Sequence, residues 1–291
     1  MTYSVTRYAR ASFFIHQNDR EKSMSISRYL NHRVTNLMLS VLIGTTPVIS
    51  GLVVMDYQMH RQLEKKSKVS IEEAVFAIDR VLDSLHGAAL QAQPLSTQPC
   101  SEVQQELENQ ARRNPRIHSL VLTRNDIGFC SSLGTKPLYT PHFAKGEYLQ
   151  LNMNSPTIPN GILVEYRLVA NNHSVIASTY GLELRNELRG FKDGVVLELE
   201  FGGLYISANG DSRNEVRPSL SEFSQSGVSE KYGYLVRAGY PDGFTARESQ
   251  YIRTNIMPSL VLIGLFTSVL VLWSLLRKQY PVKGVLPVID R

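Results

Sequence analysis

The stretch Phe129–Thr135, FCSSLGT, sets one of the chain's two cysteines beside two serines and a glycine. Three chemistries use such residues: a nucleophile, a metal site and a disulfide. A nucleophilic Ser131 would want the G-x-S-x-G turn that lifts a hydroxyl clear of its strand, and that turn is missing around it. A metal site would want grouped ligands, but the chain has no CxxC or HExxH, and its histidines, among them His118, His142 and His173, stand singly. No catalytic residue, metal ligand or cofactor is expected. A bond between Cys100 and Cys130 remains, since two cysteines make one pair. Its persistence depends on the compartment, and the compartment on the rest of the chain.

At 291 residues the chain is long enough for one large domain or two small ones. Hydropathy decides more. Residues 37–55, LMLSVLIGTTPVISGLVVM, and 256–276, IMPSLVLIGLFTSVLVLWSLL, carry no charge. As helices, each is long enough to cross roughly 30 Å of hydrocarbon. A soluble helix of this length would keep a polar stripe on its outer face. A signal peptide would have a shorter apolar part with a cleavage site behind it, whereas here DYQMHRQLEKKSK follows. Arg7, Arg10, Arg20, Lys22, Arg28 and Arg33 precede the first span, and Arg277, Lys278, Lys283 and Arg291 follow the second, so both termini are expected in the cytoplasm. Arg61, Lys65, Lys66 and Lys68 sit on the other side, but they belong to a segment of about 200 residues, and segments of that length cross largely regardless of charge. The net charge of +5 comes from basic residues spread along the chain without an interleaved aromatic and basic run, so no nucleic-acid partner is expected.

The boundaries that follow are a cytoplasmic tail at 1–36, a transmembrane helix at 37–55, a periplasmic domain at 56–255, a second transmembrane helix at 256–276 and a short cytoplasmic tail at 277–291. Ile71, Ala74, Val75, Ile78, Leu82 and Leu85 make a helical stripe that continues out of the first span, and Pro94 and Pro99 end it. CSEVQQELENQARR predicts a second helix before Pro115, and FCSS, with small residues at Ser131, Ser132 and Gly134, suggests a turn. Strands are expected at 117–123, 147–153, 161–169 and 173–181, with a hairpin through ANN. GLELRNELRG predicts a short helix stopped by Gly190; GVVLELEFG with LYISANG predicts a tight hairpin, and YGYLVRAGYPDG one more strand. A last helix runs from FTARESQYIRTN into the second span. The fold class is α+β: a periplasmic, sensor-like domain with a long helix and a mainly antiparallel sheet, flanked by two transmembrane helices.

In the periplasm the surroundings are oxidising, and a disulfide between Cys100 and Cys130 persists. Closing a loop of about 30 residues stabilises a fold by roughly 3–4 kcal/mol on the chain-entropy estimate. The bond is either a structural staple or a switch whose reduced form has a different loop conformation.

The order of membrane helix, QPC at 98–100, FCSS at 129–132 and second membrane helix resembles the CSS-motif sensor domains found at the N-terminus of bacterial cyclic-di-GMP phosphodiesterases, ahead of an EAL domain. The resemblance covers roughly residues 37–276. It implies that Cys130 pairs with Cys100 and that the redox state of this bond restrains or releases a cytoplasmic enzyme, with Ser131 and Ser132 completing the motif. An EAL domain would need many more residues than the fifteen that follow the second span. EEAVF, with Glu73 and Ala74, lies on the helical stripe on the far side of the membrane, and GDSRNE does not match a diguanylate cyclase signature, so this chain is expected neither to make nor to hydrolyse the nucleotide. A stand-alone redox or ligand sensor of the inner membrane is one expectation; the front of a truncated or incompletely recorded phosphodiesterase is the other. Met24 offers an alternative start to Met1. The expected partners are the membrane, the thiol-oxidising machinery of the periplasm, and a second copy or a full-length EAL phosphodiesterase, since Ser40, Gly44, Ser50 and Gly51 permit close approach of another helix.

Overall fold

The structure, a computed structural model, describes residues 6–134, 140–144, 146–156, 158–191, 194–214 and 216–279, with the backbone alone for 6–32 and 278–279. Thr135 of the FCSSLGT stretch, Met1, Lys283, Arg291 and the rest of the tail from 280 on lie outside the described residues. The chain divides into two units, residues 60–247 and residues 1–59 with 248–291.

Helix α1 runs Thr6–Ala92 and contributes to both units. Within 60–247 its inner stripe is the one the spacing predicts: Ile71, Ala74, Ile78, Leu82 and Leu85 are buried, and Val75 packs against them. A 3-10 turn at Gln93–Thr97 ends it, with Pro94 at its start, where a missing N–H costs nothing. Helix α2, Cys100–Arg113, buries Val103, Leu107 and Ala111 at intervals of four. It stops because Pro115 forces Asn114 into an extended conformation.

Nine strands follow among the described residues. Strands β1, Ser119–Arg124, and β2, Ile127–Ser131, form a hairpin whose turn residues Asn125 and Asp126 have φ of 50° and 60°, the left-handed pair that a two-residue hairpin needs. Strands β3, Leu149–Asn152, β4, Leu163–Ala170, and β5, His173–Tyr180, complete a five-stranded antiparallel sheet of order β2-β1-β5-β4-β3. As ANN predicts, the β4–β5 turn places Asn171 at positive φ. Helix α3, Gly181–Arg189, ends at the expected Gly190, which stays right-handed. Strands β6, Val196–Phe201, β7, Leu204–Ser207, β8, Glu222–Val228, and β9, Leu235–Tyr240, make a second antiparallel sheet of order β7-β6-β9-β8. Helix α4 runs Phe244–Gln279.

One large apolar cluster joins α1, α2, α3 and one face of each sheet and is the main core of the described part of residues 60–247. The class is α+β with antiparallel sheets, as expected from the sequence. FCSS is the exception: Cys130 and Ser131 are strand residues, and the turn begins at Ser132. The missed signal is Asn125-Asp126, which makes IGFCS the return strand of a hairpin.

In the other unit, among the described residues, two helices are long and apolar enough to cross a membrane. Large apolar side chains such as Leu42, Val53, Leu262 and Phe266 are exposed on them. The two cross through small residues. A Cβ at Gly44 would lie 2.7 Å from Ser268 Cβ and 2.8 Å from the Gly264 carbonyl oxygen, and one at Gly51 would meet Leu260. Gly44 and Gly51, offered by the sequence for pairing with another chain, are therefore taken up by the chain's own second helix. Gly44→Leu should cost about 1–3 kcal/mol by overpacking this crossing, read by unfolding the purified chain in detergent. Gly87→Leu, whose Cβ meets nothing within 4 Å, is the control that should cost nothing.

Candidate functional site

Cys130 sits on β2, the edge strand of the five-stranded sheet, paired opposite Leu122 and fully buried on the core side. Cys100 is the first residue of α2, and the two form a disulfide with their Cα atoms 5.3 Å apart. The bond thus ties the start of a core helix to the edge of a sheet. An edge strand has hydrogen bonds on one side only, so a covalent tie there limits how far β2 can peel away. The strand alternation turns Ser131 to the opposite face, opposite Val121.

Both serines serve the backbone. Ser132 extends the ladder past the strand end: its N–H donates to the Leu120 carbonyl at 2.9 Å and its hydroxyl accepts the Leu120 N–H at 3.0 Å. The Ser131 hydroxyl accepts the Leu133 N–H at 3.2 Å, and its carbonyl accepts the Gly134 N–H at 3.2 Å. The motif is a strand terminus closed by hydroxyls, with the cysteine as its last core residue. Among the described residues no three His, Cys, Asp or Glu side chains group to hold a metal.

A second constellation went unread in the sequence. Asp79, Asp83 and His86, four and three residues apart, share one side of α1. Asp79 Oδ1 accepts hydrogen bonds from the Ser229 hydroxyl and the Tyr234 hydroxyl, each at 2.8 Å. Asp83 Oδ1 accepts from Lys231 Nζ and, at 2.6 Å, from the Tyr232 hydroxyl. His86 Nδ1 lies 2.8 Å from the Tyr166 hydroxyl on β4. One helix face therefore grips both the β8–β9 turn and the other sheet. Burial, and then the Asp79 carboxylate, push the Tyr234 hydroxyl well above its ordinary range, so it stays a donor at any physiological pH. Burial would raise the Asp83 carboxyl, but the Lys231 and Tyr232 hydrogen bonds outweigh it and hold the group below its usual value. The legible signal was polar residues at helical spacing beside an apolar stripe.

Helix α4 is held at its start. Glu222 on β8 accepts the Gly243 and Thr245 backbone N–H groups, each at 2.7 Å, and the Thr245 hydroxyl. A carboxylate on the first turn satisfies orphan donors and complements the helix dipole. The Thr245 hydroxyl and N–H lower its pKa below the ordinary carboxylate value. A lowered folded pKa means that this stabilisation is complete above the unfolded value of about 4.3 and fades as the pH falls through the lower folded one. Glu222→Gln, which caps with one neutral oxygen at every pH, should therefore be less stable than the wild type near neutral pH and lose that deficit in acid, where the wild-type carboxyl is protonated too. Equal stability at neutral pH, read by denaturant unfolding of the purified chain, would refute the ionised cap.

The sequence model of one family, described as "CSS motif domain associated with EAL", matches residues 63–252. No curated protein matches the chain. Among solved structures, the extracellular domain of a candidate histidine kinase, rpHK1S-Z16, is 13% identical with a TM-score of 0.43, covering 64% of this chain and 96% of that one. An extracellular ligand binding receptor from Desulfohalobium retbaense DSM5692 is 9% identical with a TM-score of 0.39 over 60% of this chain, which spans 40% of that receptor's length.

Proposed function

The chain belongs to the CSS-motif family of domains associated with EAL, and from that premise we propose that it is the sensing module of an inner-membrane signalling system whose output is an EAL-type cyclic-di-GMP phosphodiesterase. The spans are 37–55 and 256–276, the domain between them is periplasmic, and both termini are cytoplasmic, in keeping with the basic residues at 7–33 and 277–291. The input is the redox state of Cys100 and Cys130. Periplasmic thiol-oxidising machinery closes the bond; reduction opens it and lets β2 move off α2. The output EAL domain belongs to a partner chain or to the same polypeptide.

The observation that carries this reading is the placement of the disulfide. It joins α2 to the edge strand of the sheet that α1 grips through His86 and Tyr166, and α1 is one unbroken helix from Thr6 to Ala92. A change at the edge strand thus has a continuous element on which to act. The same helix holds the second sheet through Asp79 and Asp83, and Glu222 holds the start of α4.

The test is thiol labelling of intact cells with a membrane-impermeant maleimide, with and without reductant, read against cellular cyclic-di-GMP. Labelling of Cys100 and Cys130 only after reduction, together with a nucleotide change that a chain lacking both cysteines no longer gives, is the expected result. A nucleotide level indifferent to reductant in cells expressing the wild-type chain would remove the redox function and leave the bond as a staple.

A further inference from the structure

The two ends of the disulfide lie in different surroundings. Cys130 is fully buried, and Ser131 and Ser132 after it are buried as well. Its strand has β1 on one side, and on the other the Thr140 hydroxyl accepts the Gly128 N–H at 3.0 Å. Cys100 packs on the same core from its margin and stays partly exposed, between Pro99 and Ser101, which are both exposed. One end of the bond therefore lies at the surface of the domain and the other inside it.

The backbone adds a second difference. Cys100 is the first residue of α2, a helix of 14 residues whose N-cap, Pro99, makes no side-chain cap. First-turn N–H groups and the helix dipole favour negative charge there, and a cysteine at a helix N-terminus is favoured as the thiolate, the form that attacks a disulfide. The acidic residue of that turn, Glu102, is exposed, so solvent weakens its opposition. Cys130 belongs to the apolar cluster and faces Leu122 across the ladder, and apolar surroundings disfavour a charged sulfur. For attack on an outside disulfide, charge and access select the same residue. For attack on the closed bond they divide: Cys100 is the better leaving group, which favours attack on Cys130, but a residue with no exposed surface offers no approach. Access decides.

We propose that Cys100 is the exchange-active cysteine of the pair, that the bond opens and closes through a mixed disulfide between Cys100 and an outside thiol, and that Cys130 is the resolving cysteine. This rests on the redox function proposed above and names how the pair meets its oxidant. In closing, the Cys100 thiolate attacks one sulfur of an outside disulfide, whose S–S bond breaks and whose other sulfur leaves as a thiolate. Cys130, with its Cα 5.3 Å from that of Cys100, then attacks Cys100 Sγ and releases the second outside sulfur, its proton ending on the departing thiol. The two cysteines lose two electrons, and the outside disulfide gains them as two thiols. Opening is the reverse, with two outside thiols as reductant. The resolving step is internal and needs no approach from solvent, which suits a buried sulfur.

The experiment uses the full chain in lipid nanodiscs. The oxidised wild type is treated with glutathione, quenched in acid at intervals and mapped by peptide mass spectrometry. Glutathione should be found on Cys100. In a second arm, glutathione disulfide is added to Cys130→Ala and Cys100→Ala, which both lack the bond and are compared with each other. The sulfur left in Cys130→Ala should react about tenfold faster or more than the one left in Cys100→Ala, and the two should react alike in denaturant. Glutathione found first on Cys130, on both equally or on neither overturns the proposal, as do equal rates of the two variants without denaturant. Neither arm reads cyclic-di-GMP. A failure here leaves the nucleotide test of the redox function standing, and a failure of that test leaves the order of the two sulfurs standing.

Discussion

Replacing Cys130 with alanine is expected to cost the folded chain about 3–4 kcal/mol, the loop-closure entropy of a cross-link whose ends are 30 residues apart. The disulfide is a single bond, so Cys100→Ala should cost nearly the same, and the double substitution no more than either alone; residues that act as a unit are not additive. Alanine is the informative replacement because Cys130 is fully buried in the core. Serine there would add an unpaired hydroxyl and mix a desolvation cost of about 1–3 kcal/mol with the effect of the lost bond. Denaturant unfolding of the purified chain under oxidising conditions gives the three numbers. Under reductant the wild type should fall to the level of the variants. Single substitutions whose costs add, or a wild type indifferent to reductant, would show that the bond contributes nothing to the fold.

Much of the architecture was written in the period of the sequence. The α1 stripe, the boundaries of α2 and the strands β4 and β5 follow from spacing, proline and turn chemistry that act within a few residues. Strand β2 escaped because FCSS, read alone, has the composition of a turn, and only the paired positive φ of Asn125 and Asp126 makes it half of a hairpin. Strand β8, EFSQSGV, escaped because edge strands outside the core need no apolar alternation; all seven of its residues are at least partly exposed. The pairing of Cys100 with Cys130 was legible from count and compartment, but their placement on α2 and an edge strand was not. The Asp79, Asp83 and His86 grip and the burial of Glu165 on β4 depend on partners more than a dozen residues away, Glu165 on Gln150 and Asp79 on Tyr234. A local pattern carries no trace of those partners. Glu165 in particular looks in sequence like the polar member of an alternating strand, and only the covered outer face of the sheet makes it a buried charge.

Glu198 shows what compensation does for such a charge. It lies on β6 opposite Ser207 and Arg237, on the face of the second sheet away from the core, and its side chain is fully buried. Arg217 answers it: Nε donates to Oε2 at 2.9 Å and to Oε1 at 3.1 Å, and Nη2 donates to Oε1 and, at 2.8 Å, to Glu200 Oε2. The Glu198 and Glu200 carboxylates hold the guanidinium pKa above even its ordinary high value. Arg217→Met should therefore cost about 3 kcal/mol, the low end of the range for stranding one partner of a buried pair, because the Arg217 side chain is 44% exposed and water can reach the carboxylate it leaves. Glu198→Leu in the same chain should recover most of the loss, since removing both charges leaves no ion to desolvate. Denaturant midpoints of the two single variants and the double variant close the cycle. A double variant no more stable than Arg217→Met would mean that the arginine matters for its packing on Tyr205, whose ring lies 4.9 Å from its guanidinium carbon, and not for its charge. Glu165 has no arginine among its described partners, only the Gln150 and Asn152 amides, so Glu165→Gln should stabilise the chain where Arg217→Met destabilises it. The contrast between the two carboxylates is thus measurable on one protein with one technique.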